Sequence, residues 1–317
     1  METSSKVFSK LPEIRKPKVS VCVIAYNSAK TVIETLDSIY AQTYPFLELI
    51  ISDDCSKDNT AELCQRWLDE HKDRFCNSKL VVAAKNGGVG KNDNVAFSYA
   101  TGDWIKPIAG DDMLFPNCIS DNVCFVSSHP DVIITFSRAR IAKPVDGKLV
   151  VTDEYLTDNA ISKYCTLSAE EQYNHLLYSN FVPGVTSFVK REFVVTNPVP
   201  ETYFYLEDWP YWLHLTKVGV KLNYFDKDTV IYRAGGSLRH SEIKSFLYPK
   251  FFDSCKAFFY TERYNALLDK DPLTAGRFRK EFLLGEIAIV LLNNKRNLFN
   301  RAILKVFKFL LGVRKLP

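Results

Sequence analysis

The 317-residue sequence lacks the long hydrophobic runs of membrane-spanning proteins. No stretch reaches the roughly 18 apolar residues that cross a bilayer, and the opening METSSKVFSKLPEIRKPK lacks the apolar centre of a signal peptide. We therefore expect a cytoplasmic protein with a flexible leader at residues 1–17. The net charge is only +4, which argues against nucleic acid as a partner.

Closely spaced cysteines are also absent. The eight cysteines are scattered along the chain, and none has the short spacing of a zinc site. Several, such as Cys22 and Cys64, fall inside predicted core elements, so we expect reduced core residues rather than a disulfide framework. Internal repeats and low-complexity segments are missing too, and 46% apolar with 25% charged residues is typical of a soluble enzyme.

The first third of the chain alternates apolar runs with amphipathic segments. Predicted strands lie at 19–25, 47–51, 79–84 and 103–108, and predicted helices begin near Asn27 and cover 58–74 and 91–100. This alternation predicts a doubly wound α/β fold with a mostly parallel, Rossmann-like sheet. In such a fold ligands bind at the carboxyl ends of the strands.

The pattern is looser beyond residue 115. Shorter strands are predicted at 132–137, 185–189 and 229–232, with helices after Pro116 and around 169–179 and a polar stretch at 141–166. From residue 241 onward the pattern is helical, with TAGR at 274–277 separating two long segments. We therefore predict a main domain at 18–240 and a C-terminal helical region at 241–317.

Pairs of acids follow two of the predicted strands. Asp53 and Asp54 come after the second strand, where carboxylates accept hydrogen bonds from a nucleobase or a ribose. Asp111 and Asp112 follow the fourth strand beside Gly110, and paired carboxylates suit a hard divalent cation such as Mn²⁺ or Mg²⁺. The structural alternatives are an Asx-turn before the next helix and an acidic turn before Pro116.

Two further strand ends carry candidate binding groups. The first strand ends in Ala25, Tyr26 and Asn27 at a helix N-terminus, which favours a phosphate or a polar base edge but is equally compatible with a structural junction. The third leads into KNGGVGKNDN, where glycines let the backbone approach a ligand and Lys91 offers charge to a diphosphate. Taken alone, each of these signals is weak.

A later acidic pair opens an amphipathic helix in YFYLEDWPYWLHLTKVG. Glu207 and Asp208 occupy its first turn, where acids commonly interact with the helix dipole. Aromatic neighbours could instead desolvate Asp208 and raise its basicity, which would make it a general base. The residues alone leave both interpretations open.

The C-terminal tail is basic and amphipathic. Residues 295–317 contain seven basic residues and no acid, interleaved with apolar side chains. Arg301, Lys305, Lys308 and Lys315 recur at helical spacing, which fits a helix lying on an anionic bilayer. A terminal helix docked on its own domain is the alternative.

Together these segments resemble family 2 glycosyltransferases of the GT-A type. The resemblance covers residues 18–235 and rests on an ordered set of motifs: VSVCVIAYNSAKTVIETLDSIYAQTYPFLELIISDDCSKDNT, NGGVG, ATGDWIKPIAGDDML and LEDWPYWL. It implies a GT-A fold, a nucleotide-sugar donor such as a UDP-sugar, a divalent metal, and sugar transfer with inversion at the anomeric carbon.

The resemblance also implies roles for individual residues. Asp111 and Asp112 correspond to the metal-binding acids, and Glu207 and Asp208 to a Glu-Asp pair whose Asp removes a proton from the acceptor hydroxyl. The positions that correspond to the donor site are Ala25, Tyr26, Asn27, Asp53, Asp54, Asn86, Lys91, Gly110 and Arg233.

Three positions depart from the family pattern. Ala109 stands where an acid often begins the metal motif, and Asp93 stands where an Arg often follows the glycine loop, so Lys91 would supply the compensating charge. Gly235 replaces a frequent His, for which His240 is a candidate substitute. The expected function is transfer to a lipid-linked glycan acceptor at the cytoplasmic face of the membrane, in bacterial surface polysaccharide (O-antigen type) synthesis. The alternatives are a catalytically impaired nucleotide-sugar-binding scaffold and a sugar nucleotidyltransferase.

Overall fold

A computed structural model of the chain describes residues 16–157, 160–235 and 245–313. The predicted leader (except residues 16 and 17), His240 and the last four residues of the basic tail lie outside these ranges. Among the described residues, none of the helices combines the length and apolarity needed to span a bilayer.

Within the described residues, nine strands form one mixed sheet in the order β3-β2-β1-β4-β8-β6-β9-β5, with β7 paired to β6. The first four strands are parallel neighbours, as predicted, while β8 joins β4 in the antiparallel sense and β9 runs parallel to β6. The strands are β1 (Val19–Ala25), β2 (Leu47–Asp53), β3 (Asn77–Val82), β4 (Trp104–Ala109), β5 (Met113–Leu114), β6 (Ile134–Val145), β7 (Lys148–Tyr155), β8 (Phe188–Lys190) and β9 (Leu222–Arg233).

Helices cover both faces of this sheet and form the C-terminal region. They are α1 (Val32–Tyr40), α2 (Thr60–His71), α3 (Val89–Tyr99), α4 (Cys118–Ser128), α5 (Ala160–Tyr164), α6 (Ala169–Leu176), α7 (Arg191–Thr196), α8 (Asp208–Lys217), α9 (Pro249–Phe258), α10 (Tyr264–Lys270), α11 (Pro272–Val290) and α12 (Leu298–Leu311). Short 3₁₀ turns occur at Lys72–Arg74 and Gly184–Thr186, and a π-helical segment at Phe259–Arg263 joins α9 to α10.

The apolar runs of the first strands supply two cores, one on each face of the sheet. Cys22 and Ile50 belong to the core that also contains α3 and α8, whereas Val21, Val23 and Ile51 belong to the core beneath α1, α2 and α4. Side chains alternate between the faces of a strand, so a strand buried on both sides is apolar throughout. This is why β1 has no polar alternation.

The predicted polar stretch at 141–166 was the least accurate part of the interpretation. Here β6 continues to Val145 and returns as β7 through a turn at Asp146 and Gly147, which have φ values of 50° and 75°. Asp-Gly in this conformation is a strong hairpin signal. The polar side chains were misleading because β7 is an edge strand with much of its surface in solvent.

The predicted break at TAGR is also wrong. Gly276 lies inside α11, which is continuous, and the preceding helix ends earlier at Lys270. Asp271 caps α11 by accepting a hydrogen bond from the Thr274 amide at 3.0 Å, and Pro272 occupies the first turn. A capping Asp followed by Pro is a stronger signal than an isolated glycine, which helices tolerate.

Candidate functional site

The carboxyl ends of β1, β2 and β4 lie side by side. Ala25 pairs with Asp53 and Ile24 pairs with Ala109 in the sheet register. Gly110 then crosses close to the start of α1, and a Cβ atom there would lie 3.1 Å from Ser28 Oγ and 3.4 Å from the Ala25 Cβ. The Gly110 carbonyl accepts a hydrogen bond from Thr31 Oγ1 at 2.8 Å. This edge therefore assembles the predicted residues of three strands.

Asp53 holds the turn that leads into α2. Its carboxylate accepts hydrogen bonds from the Ser56 amide at 2.9 Å and from Ser56 Oγ at 2.5 Å. Ser56 Oγ in turn accepts a hydrogen bond from the Asn27 amide at 2.8 Å, and Asn27 Oδ1 accepts one from the Lys57 amide at 2.7 Å. These bonds give Asp53 a local structural role, and they link the ends of β1 and β2 into one rigid unit.

Asp54 fixes the glycine loop. Its two carboxylate oxygens accept hydrogen bonds from the amides of Gly87 at 2.8 Å and Gly88 at 2.9 Å, and Asn86 Oδ1 also accepts from Gly88. The loop is therefore anchored to the end of β2 through backbone donors. Lys91 folds back over it, because a Cβ atom on Gly87 would lie 2.6 Å from Lys91 Cδ.

Two glycines of this loop closely approach the protein itself, and the predicted approach of the loop to a ligand stays a prediction. A Cβ atom on Gly88 would lie 2.8 Å from the Phe204 carbonyl oxygen, and one on Gly90 would lie 2.6 Å from the Pro200 carbonyl oxygen. The residues that precede α8 pack directly on this loop. The glycines are therefore needed for close packing between two loops, which only a three-dimensional contact reveals.

We expect Gly88→Ala to destabilise the protein by about 2–3 kcal/mol, because it combines a strained backbone with a clash. Gly88 has a φ of +89°, and its Cβ atom would meet backbone. Gly147→Ala is the matched control, since Gly147 has a φ of +75° but nothing within 4 Å. Urea unfolding should show that Gly147→Ala lowers the free energy of unfolding by about 1 kcal/mol. Equal losses for the two variants would contradict the packing role of Gly88.

Asp111 and Asp112 are held beneath Arg233, the last residue of β9. Asp112 Oδ1 accepts a hydrogen bond from the Arg233 amide at 2.9 Å, and Arg233 Nε donates to the Asp111 carbonyl oxygen at 2.9 Å. The Arg233 guanidinium also pairs with Glu34 of α1. Burial raises the pKa of the Asp112 carboxyl to about 8, assisted by the neighbouring Asp111 carboxylate. Burial likewise raises the pKa of Asp111.

The donor set of this pair is compatible with a divalent cation. Two neighbouring carboxylates repel each other when ionised, and a bound cation would relieve that repulsion with the oxygen ligands it prefers. Within the described ranges there is no group of three or more His, Cys, Asp or Glu side chains arranged to hold a metal. Asp111 and Asp112 would hold such a cation, and the remaining ligands would come from water or phosphate oxygens.

Asp208 begins α8 and is 9% exposed. Its Oδ1 accepts a hydrogen bond from the Trp209 amide at 2.6 Å, and its Oδ2 accepts one from Asn180 Nδ2 at 3.1 Å. Gly184 packs against it, because a Cβ atom there would lie 3.2 Å from the Asp208 Cβ. Both carboxylate oxygens are therefore oriented by specific donors.

A buried lysine ties the surroundings of Asp208 to the sheet. Lys106 of β4 is fully buried and donates through Nζ to the Val185 carbonyl oxygen at 2.6 Å, in the 3₁₀ turn that starts at Gly184. Burial lowers the pKa of Lys106 to about 8. The turn that packs on Asp208 is thus attached to the strand that leads to Asp111.

Asp93, which replaces the Arg expected from the resemblance, is a buried residue of α3. It is 9% exposed, and its pKa is raised by burial and by the charge of Glu207. Asp93 also raises the pKa of the Tyr211 hydroxyl, after the larger effect of burial. This side chain therefore belongs to the packing between α3 and α8. Its position explains why an acid is tolerated there, and the compensating charge predicted for Lys91 stays a prediction.

Sequence reasoning missed the residues that hold the site together. These are Glu34, which pairs with Arg233, Thr35, whose Oγ1 donates to the Asp112 carbonyl oxygen at 2.7 Å, Lys106 and Asn180. Their partners are between 28 and 199 residues away in the chain. No local pattern distinguishes such residues from ordinary polar side chains.

A surface groove of about 730 Å³ lies elsewhere on the molecule. It is lined mainly by residues 128–133 and 218–221 and contains none of the predicted site residues. The chemistry of the chain is therefore concentrated at the strand ends rather than in this groove.

Comparison with known proteins decides the family. Residues 20–175 match the model of Glycosyl transferase family 2. Residues 20–175 belong to this family. The matched region contains the acids of β2 and the pair after β4, while Asp208 and Arg233 lie beyond it.

Several curated relatives of the chain are bacterial glycosyltransferases. It is 36% identical to the putative glycosyltransferase EpsE of Bacillus subtilis, over 36% of this chain and 40% of the relative. It is 25% identical to the Escherichia coli UDP-Glc:alpha-D-GlcNAc-diphosphoundecaprenol beta-1,3-glucosyltransferase WfaP, over 72% of this chain and 82% of the relative. The matched part spans only 40% of EpsE and 20% of Staphylococcus aureus TarS.

Solved structures confirm the predicted GT-A fold with its helical C-terminal region. S. aureus TarS 1–349 in complex with UDP-GlcNAc superposes with a TM-score of 0.56 at 20% identity, over 93% of this chain and 80% of that one. The mannosyltransferase PcManGT from Pyrobaculum calidifontis, in complex with GDP-Man and Mn²⁺, gives 0.56 at 17% identity, over 95% and 82%. At these identities the likeness concerns the fold.

Proposed function

We propose that the chain is an inverting glycosyltransferase that transfers a sugar from a UDP-sugar to a hydroxyl of a glycan acceptor. The observation that carries this proposal is the convergence of strand-end acids. Asp53 and Asp54 end β2, Asp111 and Asp112 follow β4, and the backbone of Arg233 is bonded to Asp112. In α/β sheets this edge is the ligand-binding edge.

The donor proposal follows from the arrangement of this edge. The Asp53 turn fixes Asn27 at the end of β1, beside the half-exposed ring of Tyr26, which leaves an aromatic face available to a nucleobase. The names of two similar proteins support a UDP-sugar, since WfaP uses UDP-Glc and TarS binds UDP-GlcNAc. We propose that Ala25, with Tyr26 and Asn27, lines the nucleoside half of the donor site.

The diphosphate half of the donor site would lie over Asp111 and Asp112. A divalent cation bound there would neutralise charge on the departing nucleoside diphosphate. Arg233 is anchored between Glu34 and the Asp111 carbonyl, so its guanidinium is pre-oriented beside the same acids. We propose that Arg233 and Lys91 supply positive charge to the leaving group.

Asp208 is the proposed general base. Two donors already fix the orientation of its carboxylate, as a base aimed at one acceptor hydroxyl requires. The hydroxyl would attack the anomeric carbon from the face opposite the nucleotide while Asp208 accepts its proton. A single displacement of this kind inverts the anomeric stereocentre. The neighbouring acid, Glu207, would help to balance the charge beside Asp208.

Binding of nucleotide sugars is the first test of this function. A thermal-shift panel of UDP-, GDP- and dTDP-sugars, each with and without Mn²⁺, should give the largest rise in melting temperature with a UDP-sugar and Mn²⁺ together. A ligand that binds the native state raises its apparent stability, by about 2.7 kcal/mol at 100 times its Kd. A larger rise in melting temperature with a GDP- or dTDP-sugar would instead identify a different nucleobase for the donor. No response to any donor would contradict the proposal.

We also propose that the acceptor is lipid-linked and that the protein binds the membrane surface through α12. This helix has three sectors. One sector packs on α11 through Leu304 and its neighbours, another exposes apolar side chains, and the third is basic. The exposed apolar residues are Leu298 (84%), Phe299 (73%), Val306 (57%), Phe309 (84%) and Leu310 (69%).

Because it has three sectors, α12 can both dock on its own domain and bind a membrane surface, which are the two alternatives for the tail. Docking occupies only one side of α12, so the apolar sector stays in solvent beside Arg301, Lys305 and Lys308. An apolar strip flanked by cations is complementary to an anionic bilayer, whose acyl chains accept the strip and whose headgroups attract the cations. The name of WfaP, which includes an undecaprenol-linked acceptor, supports the proposal that the acceptor here is lipid-linked.

The double variant Phe299→Ser/Phe309→Ser should bind vesicles of phosphatidylglycerol at least about 10-fold more weakly than the intact chain, because each aromatic contributes buried apolar area. Co-sedimentation measures this. Leu273→Ser is the matched control, since Leu273 is 88% exposed at the opposite end of α11. Equal binding of the double variant and the intact chain, or no binding by the intact chain, would contradict the membrane proposal.

A further inference from the structure

Arg263 is a buried cation in the C-terminal helical region. Its side chain is almost wholly enclosed, with 4% exposure, and it ends the π-helical segment Phe259–Arg263. Nε and Nη2 donate to the Leu177 carbonyl oxygen at 2.9 and 2.7 Å, and Nη2 also donates to the Tyr178 carbonyl oxygen at 3.2 Å. Within the described ranges no carboxylate forms a salt bridge with it.

Packing alone does not require a guanidinium at this position. Removing a cation from water is costly, and a well-packed apolar side chain of similar size is often as stable or more so. Here the cost is partly offset by the carbonyl hydrogen bonds and by the Trp209 ring, whose centroid lies 4.0 Å from Arg263 Cζ. Compared with an apolar side chain, a guanidinium adds directional contacts with the backbone carbonyls and with the Trp209 ring.

The Trp209 ring and the backbone carbonyls both belong to segments that contact Asp208. Trp209 follows Asp208 in the chain, and its amide donates to Asp208 Oδ1. Trp209 Nε1 also donates to the Leu176 carbonyl oxygen at 2.8 Å, so the segment at the end of α6 is bonded to both Trp209 and Arg263. Two residues beyond Tyr178, Asn180 donates to Asp208 Oδ2 at 3.1 Å. Each carboxylate oxygen of Asp208 is thus oriented by a residue that Arg263 or its partners hold.

We infer that Arg263, acting through Trp209 and the 176–180 segment, is a positioning residue for Asp208, and that Asn180 is its final link to the carboxylate. The inference rests on the proposed function in that it treats Asp208 as the base. The π-helical turn supports it, because an inserted residue in a helix changes the direction of side chains and often marks a functional site. The C-terminal region is then part of the catalytic assembly.

Amide hydrogen exchange tests the positioning without requiring catalysis. In Arg263→Met, the amides of residues 178–182, 184 and 207–209 should exchange about 10-fold faster than in the unmodified chain, because the segments lose a shared anchor. Arg74→Met is the matched control. Arg74 donates to the carbonyls of Gln42 at 2.7 Å and Tyr44 at 2.9 Å and lies over Phe75, far from Asp208 in the fold. Its variant should leave both segments unchanged.

Hydrolysis of UDP-GlcNAc in the presence of Mn²⁺, in which water accepts the sugar and UDP is released, should separate positioning from general destabilisation. Turnover in Arg263→Met and Asn180→Ala should fall by about 10- to 100-fold, the usual cost of losing a residue that orients a reactive group, with donor KM within about twofold. Turnover of Arg263→Lys should lie between that of the intact chain and that of Arg263→Met, since lysine keeps the positive charge but lacks the planar, forked donors of a guanidinium. Arg263→Lys also provides the test if Arg263→Met does not fold.

The two failures are distinguishable. If the intact chain neither binds nor turns over any nucleotide sugar, the proposed function fails, while the exchange result still decides whether Arg263 orders the segments around Asp208. If Arg263→Met and Arg263→Lys change exchange only near residues 255–265, or lower turnover no more than Arg74→Met, the positioning role is overturned.

Discussion

Asp208→Asn is expected to lower sugar transfer by about 100- to 10,000-fold while leaving the Kd for the donor within about twofold. A positioned general base contributes acceleration of this size, and an amide at neutral pH accepts no proton. The replacement keeps an oxygen for the Trp209 amide, which is 2.6 Å from Asp208 Oδ1. Turnover and calorimetric donor binding, measured on the same preparation, give the two numbers.

Asp37→Asn provides the matched control for this prediction. Asp37 also accepts a hydrogen bond from a tryptophan, with its Oδ1 2.8 Å from Trp67 Nε1, but it lies on α1 away from Asp208. Its variant should retain nearly full turnover. A collapse of donor binding in Asp208→Asn, or turnover equal to that of the control, would remove Asp208 from the role of base.

Asp112→Asn should have the second large effect, with opposite consequences for stability and activity. At pH 7.5 without metal the variant should be more stable than the intact chain by at least about 1 kcal/mol, because the Asp112 carboxyl, whose pKa is raised to about 8, must take up a proton when the chain folds and an amide need not. The bond from the Arg233 amide, now 2.9 Å from Asp112 Oδ1, is retained by the amide oxygen. Turnover should fall at least about 100-fold, because the cation loses one of its two protein ligands.

Urea unfolding with and without Mn²⁺ measures both sides of this prediction. Mn²⁺ should stabilise the intact chain and have little effect on Asp112→Asn. Asp121→Asn is a suitable control, since it removes a carboxylate from the first turn of α4 outside the pair. Equal stabilisation of Asp112→Asn and the intact chain by Mn²⁺ would place the metal elsewhere.

The first half of the fold was predictable because its signals are local. A strand buried on both faces is mostly apolar, and β1 and β2 are so at residues 19–25 and 47–51 apart from Ser20 and Glu48. The carboxyl ends of β2 and β4 then bring Asp53 and Asp111 to one edge by topology alone. The residue types at these ends therefore sufficed to predict the edge, and the chemistry assigned to it stays a prediction.

Long-range pairing limited the rest of the prediction. The two-residue strand β5 exists only because it pairs with β9, more than 100 residues later. The packing of Gly88 against Phe204 could not be predicted, because Phe204 comes from a distant loop. Asn180 and Arg263 gave no local signal, since their significance depends on contacts with Asp208 and Trp209.

A crystal structure of the chain with UDP and Mn²⁺ tests the central claim most directly. We predict the diphosphate and the ion against Asp111 and Asp112, the uridine beside Tyr26 and the Asp53 turn, and Asp208 facing the same cavity. Nucleotide bound away from these strand ends, for example in the groove lined by residues 128–133, would contradict it.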